Sequence, residues 1–153
     1  MDKEDRKIIF EEYKLYVQTA ENNSDRRQTA NNFFLSFNSI LISGTGFLLA
    51  TTGKPWLILL SLVGILSSFL WVTTINSYRQ LNSGKFKVIH DLEEYLPYAL
   101  FKKEWNYLGK GIQRRKYKKL TLVETGVPYT FMLLYGFLIL IQIIPYLCLL
   151  WSS

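Results

Sequence analysis

Few side chains in this sequence are able to carry chemistry, and their placement argues against catalysis. His90 is the only histidine, with Asp91, Glu93 and Glu94 close by. Metal centres need several His, Cys or carboxylate ligands at matched spacing, and adjacent residues on a helix point apart. The cluster therefore reads as a solvated helix face rather than a metal site. Gly44-Thr45-Gly46 looks like part of a phosphate loop, but it lies in an apolar run without the following Lys-Ser/Thr, which excludes a P-loop. There is no Gly-x-Ser-x-Gly elbow. Cys148 is the only cysteine, so no intrachain disulfide can form, and with no nearby base it reads as packing. The expectation is a protein that is not an enzyme and holds no cofactor.

The informative polar residues lie where the chain is otherwise apolar. Asn32, Ser36, Ser39, Ser43, Gly46 and Ala50 follow one another at spacings of 4, 3, 4, 3 and 4. That places a small or polar face along one side of a helix, opposite Phe34, Phe37, Leu41 and Leu48. In a membrane such a face serves close helix approach or lines a wet path, and both uses stay open, since packing around a ring combines them. Asn38 falls off this face and must find a hydrogen-bond partner of its own. Gly64 and Ser68 form a small-xxx-small pair, and Gln142 is a lone amide deep in a third apolar run, expected to bond across helices or to contact a pore.

These residues are positioned by three runs without Asp, Glu, Lys, Arg or His: residues 33–52, 56–75 and 127–151. A bilayer-spanning helix needs about 20 predominantly apolar residues, so each run is long enough. The rest of the 153-residue chain is too polar to build a large core, which excludes a soluble globule and a disulfide scaffold. The first 32 residues are charged throughout, unlike a cleavable signal peptide. Of the 18 Lys and Arg, six fall in residues 1–32, one in the turn after the first run, eleven in residues 78–126 and none after Trp151. The positive-inside rule then puts the N-terminus and residues 78–126 in the cytoplasm and the C-terminus outside. Basic juxtamembrane residues also suit anionic lipids. Nucleic acid is not an expected partner, although Arg114-Arg115-Lys116-Tyr117-Lys118-Lys119 is the run that would bind it.

Periodicity extends the helices beyond the membrane. Ile9, Tyr13, Tyr16, Ala20, Asn23, Arg27, Ala30 and Phe34 share one face, and no Pro or Gly precedes Gly44. The arm can thus run into the first span as one helix of roughly 70 Å at 1.5 Å per residue. Past the second span, which opens at Pro55, the residues Tyr78, Leu81, Lys85, Val88, Ile89, Leu92 and Leu96 continue a helical pattern, with a kink expected at Ser83-Gly84 and an end at Pro97. Arm and post-span helix should pack antiparallel on each other. Gly109-Lys110-Gly111 reads as a turn, residues 119–123 as a short strand, and Gly126 with Pro128 as the start of the third span. Pro145, Tyr146 and Trp151 suit a kink and the outer interface.

Several separated motifs resemble one family. The run from Arg26 to Ser36 is similar to the entry into the first span of the RipA-like octameric membrane proteins of bacteria. So are Ser77-Tyr78-Arg79-Gln80-Leu81-Asn82 with Lys85-Phe86-Lys87-Val88-Ile89, then Leu92-Glu93, Leu96-Pro97, Glu104-Trp105, Leu108-Gly109-Lys110-Gly111, and Glu124 before Val127-Pro128. The resemblance covers about residues 12–140. A looser similarity exists to SLATT membrane proteins, proposed pore-forming effectors in bacterial conflict. The resemblance implies a homo-octamer in the cytoplasmic membrane. For Arg26, Arg27, Tyr78 and Arg79, all within matched motifs, the physical role is membrane-proximal: lipid phosphates, or pairing of the arginines with Asp25, Glu93, Glu104 or Glu124.

The expected fold is therefore all-α and polytopic, with three transmembrane helices per protomer, long cytoplasmic helical extensions and a ring-like homo-oligomer. Its parts are an amphipathic arm (1–32), spans at 33–52, 56–77 and 127–151, and a cytoplasmic helix with a basic loop (78–126). Its expected function is a pore or permeabilising effector in stress or phage defence, or else a non-conducting scaffold holding cytoplasmic partners.

Overall fold

A computed structural model describes residues 2–51, 54–111 and 120–151. They form α1 (Lys3–Thr51), α2 (Lys54–Glu93), α3 (Leu100–Tyr107), a single 3₁₀ turn (Gly109–Gly111) and α4 (Leu120–Trp151), with no strand among the described residues. Three helices are long and apolar enough to cross a membrane, over Lys3–Leu49, Trp56–Glu93 and Val123–Ile144. The basic run at 114–119, the Thr52-Gly53 part of the first turn, and the side chains of Cys148, Pro145, Tyr146 and Trp151 lie outside the described residues.

The 49-residue α1 is unbroken. Glu4 and Asp5 in its first turn oppose the helix dipole. Gly44 and Gly46 stay helical within it, as expected where lipid offers the backbone no other hydrogen-bond partner. α2 is also helical without interruption through Ser83-Gly84, the place of the expected kink. It ends at Glu93, earlier than Pro97. A proline disfavours helical geometry in the residue before it, and the chain tightens through bonds from Glu94 N to Asp91 O, Tyr95 N to Leu92 O and Leu96 N to Glu93 O. The expected strand at 119–123 is not formed: from Leu120 the chain is helical. The β-branched Thr121 and Val123 that suggested a strand have no second strand to pair with, and helix is the state that satisfies the backbone unaided. The third membrane helix consequently begins well before Gly126, with Pro128 inside it. At the Gly109–Gly111 turn both Gly109 (φ 65°) and Lys110 (φ 53°) take left-handed backbone, the one place among the described residues where a glycine is conformationally required.

The chain divides into two compact units. The first comprises Met1–Gln28 and Asn76–Val123. Here the α1 arm and the end of α2 form an antiparallel hairpin. Ala20 and Ile89 are buried, and Asn23 Nδ2 donates to the Tyr78 carbonyl (3.4 Å). Lys85 Nζ donates to Thr19 Oγ1 (3.1 Å), and Tyr13 Oη to Glu93 Oε1 (3.4 Å). The packing of arm on post-span helix thus follows the periodicity. Leu81 and Val88 do not join it and stay exposed.

The second unit comprises Thr29–Ile75 and Glu124–Ser153. It is a three-helix bundle in which α2 is the inner member: 39% of its most apolar stretch is buried, against 11% for α1 and 17% for α4. Phe34 stacks on Trp71 (5.9 Å between centroids), Trp71 meets Phe131 (6.3 Å), and Phe131 stacks on Tyr135 (6.3 Å). Outward-facing Ile40, Phe47, Leu66 and Leu133 are all largely exposed, as a lipid-facing or subunit-facing surface requires.

Candidate functional site

In the membrane unit, the polar residues of α1 separate into two faces with different fates. Asn31, Phe34, Asn38 and Thr45 turn into the bundle, while Asn32, Ser36, Ser39, Ser43 and Gly46 are all exposed. A Cβ added at Gly46 would meet nothing within 4 Å. The small-residue face is therefore not the one that builds the protomer. Ser39 Oγ donates to the Leu35 carbonyl (2.7 Å) and Ser43 Oγ to the Ser39 carbonyl (2.8 Å), so both hydroxyls are satisfied within their own helix.

Asn38 finds the partners its burial demands. Nδ2 donates to the Phe34 carbonyl (2.9 Å) and to Ser67 Oγ (3.2 Å), and Oδ1 accepts from Ser68 Oγ (3.2 Å). The Asn38 carbonyl accepts from Tyr135 Oη (3.1 Å). One polar layer thus ties all three helices together. Gly64 makes room for it, since a Cβ there would collide with the Tyr135 ring. Trp71 Nε1 donates to Asn31 Oδ1 (2.8 Å) one level away. The sequence flagged Asn38, Gly64 and Ser68. Tyr135 escaped notice because nothing in its own run distinguishes a buried tyrosine from an interface one. Gln142 is buried, but its Nε2 donates to Leu138 of its own helix (3.1 Å) rather than across helices, and its Oε1 has no partner among the described residues. Ser61 Oγ is likewise buried without a partner among the described residues.

In the hairpin unit, the acidic cluster near His90 resolves into separate roles. Glu93 is fully buried rather than solvated. Its Oε1 accepts from Phe101 N (2.7 Å) and its Oε2 from Lys102 N (2.9 Å). These are free N–H groups of the first turn of α3, where the N-cap residue Ala99 makes no side-chain bond of its own. A carboxylate from a neighbouring helix thus replaces the missing cap and meets the positive end of the α3 dipole. Phe101 sits edge-on to Phe86 (5.7 Å) and near Tyr13 (6.4 Å), which fixes α3 against the hairpin. Burial, reinforced by the Glu93 carboxylate, pushes the Tyr13 hydroxyl above its ordinary pKa. Glu94 pairs with Lys102 (3.0 Å), Asp91 is exposed, and His90 packs edge-on against Phe86 (6.4 Å). Glu93, one of the four acids offered as an arginine partner, is thus occupied by α3 instead. Arg26 and Arg79 are exposed, Arg27 and Tyr78 half-buried.

This architecture is that of a polytopic helical membrane protein, with three spanning helices in one unit and a helical hairpin in the other. The chain belongs to the octameric membrane protein family (8xMP), whose family model matches residues 10–144. The RipA-like resemblance of its motifs agrees with that membership, and the family description carries octameric self-association with it. Neither the curated proteins nor the solved structures gave a match.

Proposed function

We propose that the chain acts as a homo-octameric pore or permeabilising effector of the bacterial cytoplasmic membrane, serving in stress or phage defence. The observation that supports this reading is the exposure of Asn32, Ser36, Ser39, Ser43 and Gly46 along a spanning helix whose bundle contacts lie on another face. Around a ring, eight copies of that face make a polar wall that three spans of one protomer cannot enclose. The likeness to SLATT proteins supports the conflict role. In this reading the N-terminus is cytoplasmic and the C-terminus outside, following the Lys/Arg distribution. Exposed Arg26 and Arg79 then meet anionic lipid phosphates.

A second reading, a closed scaffold that holds cytoplasmic partners, is favoured by the hydroxyls of Ser39 and Ser43. Being satisfied by their own helix, they suit a dry helix contact as well as a wet one. Ser39→Asp separates the two. A wet pore tolerates a ring of carboxylates and gains cation preference. In a dry contact each carboxylate costs about 2.5–3.5 kcal/mol on insertion scales and assembly fails. Size-exclusion chromatography and liposome ion flux on the same protein read this out. Failed assembly would overturn the pore and leave the scaffold contact, whereas an intact ring with unchanged, negligible flux would overturn both uses of this face.

A further inference from the structure

The hairpin unit carries two exposed apolar stripes that its own packing leaves unused. On α1, Ile8 (55% exposed) and Leu15 (60%) lie seven residues apart, and exposed Asn22 continues the series. On α2 and the turn after it, Leu81 (53%), Val88 (37%) and Tyr95 (60%) repeat at the same interval. Seven-residue spacing keeps side chains on one seam of a helix. At 100° per residue the helical members of each stripe lie roughly 100° around their helix from the residues that close the hairpin. The stripes are therefore free to meet something beyond the protomer.

Their heights match. The bonds Tyr13–Glu93, Thr19–Lys85 and Asn23–Tyr78 set the antiparallel register of the two helices. In that register Ile8 lies level with Tyr95, Leu15 with Val88, and Asn22 with Leu81. Rotation about an axis along the helices leaves heights unchanged, so one copy's α1 stripe meets the next copy's α2 stripe in step. Exposed Glu12, beside Leu15, and exposed Lys87, beside Val88, add opposite charges to the two edges.

We propose that these stripes form a head-to-tail contact between neighbouring protomers, the α1 stripe Ile8–Leu15–Asn22 of one copy packing on the Leu81–Val88–Tyr95 stripe of the next. The proposal rests on the octameric assembly and assigns residues to part of its subunit interface. A heterologous contact of this kind, repeated around a closed ring, leaves no stripe uncovered.

The test is disulfide cross-linking of the full chain in membranes, with Cys148→Ser as background. Leu15→Cys combined with Val88→Cys should give, on oxidation, a ladder of covalent multimers up to the closed ring. Leu15→Cys with Leu81→Cys is two turns out of step and should stay monomeric, because a disulfide needs Cα atoms within about 7 Å. Either cysteine alone should stay monomeric too, since a head-to-tail contact never brings two copies of one residue together. Size-exclusion chromatography of the same variants separates the possible failures. An intact oligomer without the ladder overturns the stripe contact and leaves the assembly standing. A dimer from a single cysteine overturns the head-to-tail arrangement, and a monomer on the column overturns assembly and contact together.

Discussion

Replacing Glu93 by glutamine should loosen α3 from the hairpin. The two carboxylate oxygens each accept one backbone N–H, from Phe101 at 2.7 Å and Lys102 at 2.9 Å, and the N-cap residue Ala99 makes no side-chain bond. Glutamine keeps one acceptor but turns an N–H₂ donor toward the second N–H, so one bond is lost and one donor is left facing another. Bonds of this kind contribute about 1.5–3 kcal/mol, and loss of a cap costs about 0.5–2 kcal/mol. The contact is only partly buried, and water can recover some of the loss, so about 1.5–2 kcal/mol is expected. That corresponds to roughly a 10–30-fold rise in local opening. Glu93→Ala removes both acceptors and should cost about 3 kcal/mol. Tyr13→Phe removes only the long 3.4 Å bond and should cost far less than either. Amide hydrogen exchange on peptides covering residues 99–107, in nanodiscs, measures the opening directly. Unchanged protection in Glu93→Gln, or equal loosening in Tyr13→Phe, would refute the capping account.

Three further outcomes are expected. Gly64→Val should destabilise the membrane unit by about 1–3 kcal/mol through overlap with the Tyr135 ring, and the penalty should largely vanish in a Tyr135→Ala background, as a double-mutant cycle in detergent unfolding would record. The raised pKa of Tyr13 means that the folded hairpin holds this proton more tightly than the unfolded chain does. Its contribution is complete below the ordinary tyrosine value of about 10 and is lost as pH climbs above it, so phenolate absorbance of the wild type minus Tyr13→Phe should titrate above that value. Finally, Lys3→Cys and Ser152→Cys, each without Cys148, should be labelled from opposite sides of the membrane; labelling from one side would sink the three-span topology.

The sequence by itself determined what depends on composition and period. Three uncharged apolar runs require three spanning helices, because in lipid only an internally bonded backbone survives. The 3.6-residue recurrence of Tyr13, Ala20, Asn23 and Ile89 announced the hairpin, and a lone asparagine in an apolar run had to be bonded. Tertiary structure decided what each group meets. Glu93 sits among other acids at 91–94, and nothing local tells that it alone turns inward to cap a helix beginning at Leu100. Leu81 and Val88 fit the same period as Ile89, yet lie on the exposed flank, since an apolar residue near the edge of a stripe packs or not according to where the partner helix stands. The serine face could have been the bundle contact by sequence alone. The bundle instead closes through Asn38, because there the side chains of Ser67 and Ser68 and the Tyr135 hydroxyl converge, and that convergence exists only once three distant segments are folded together.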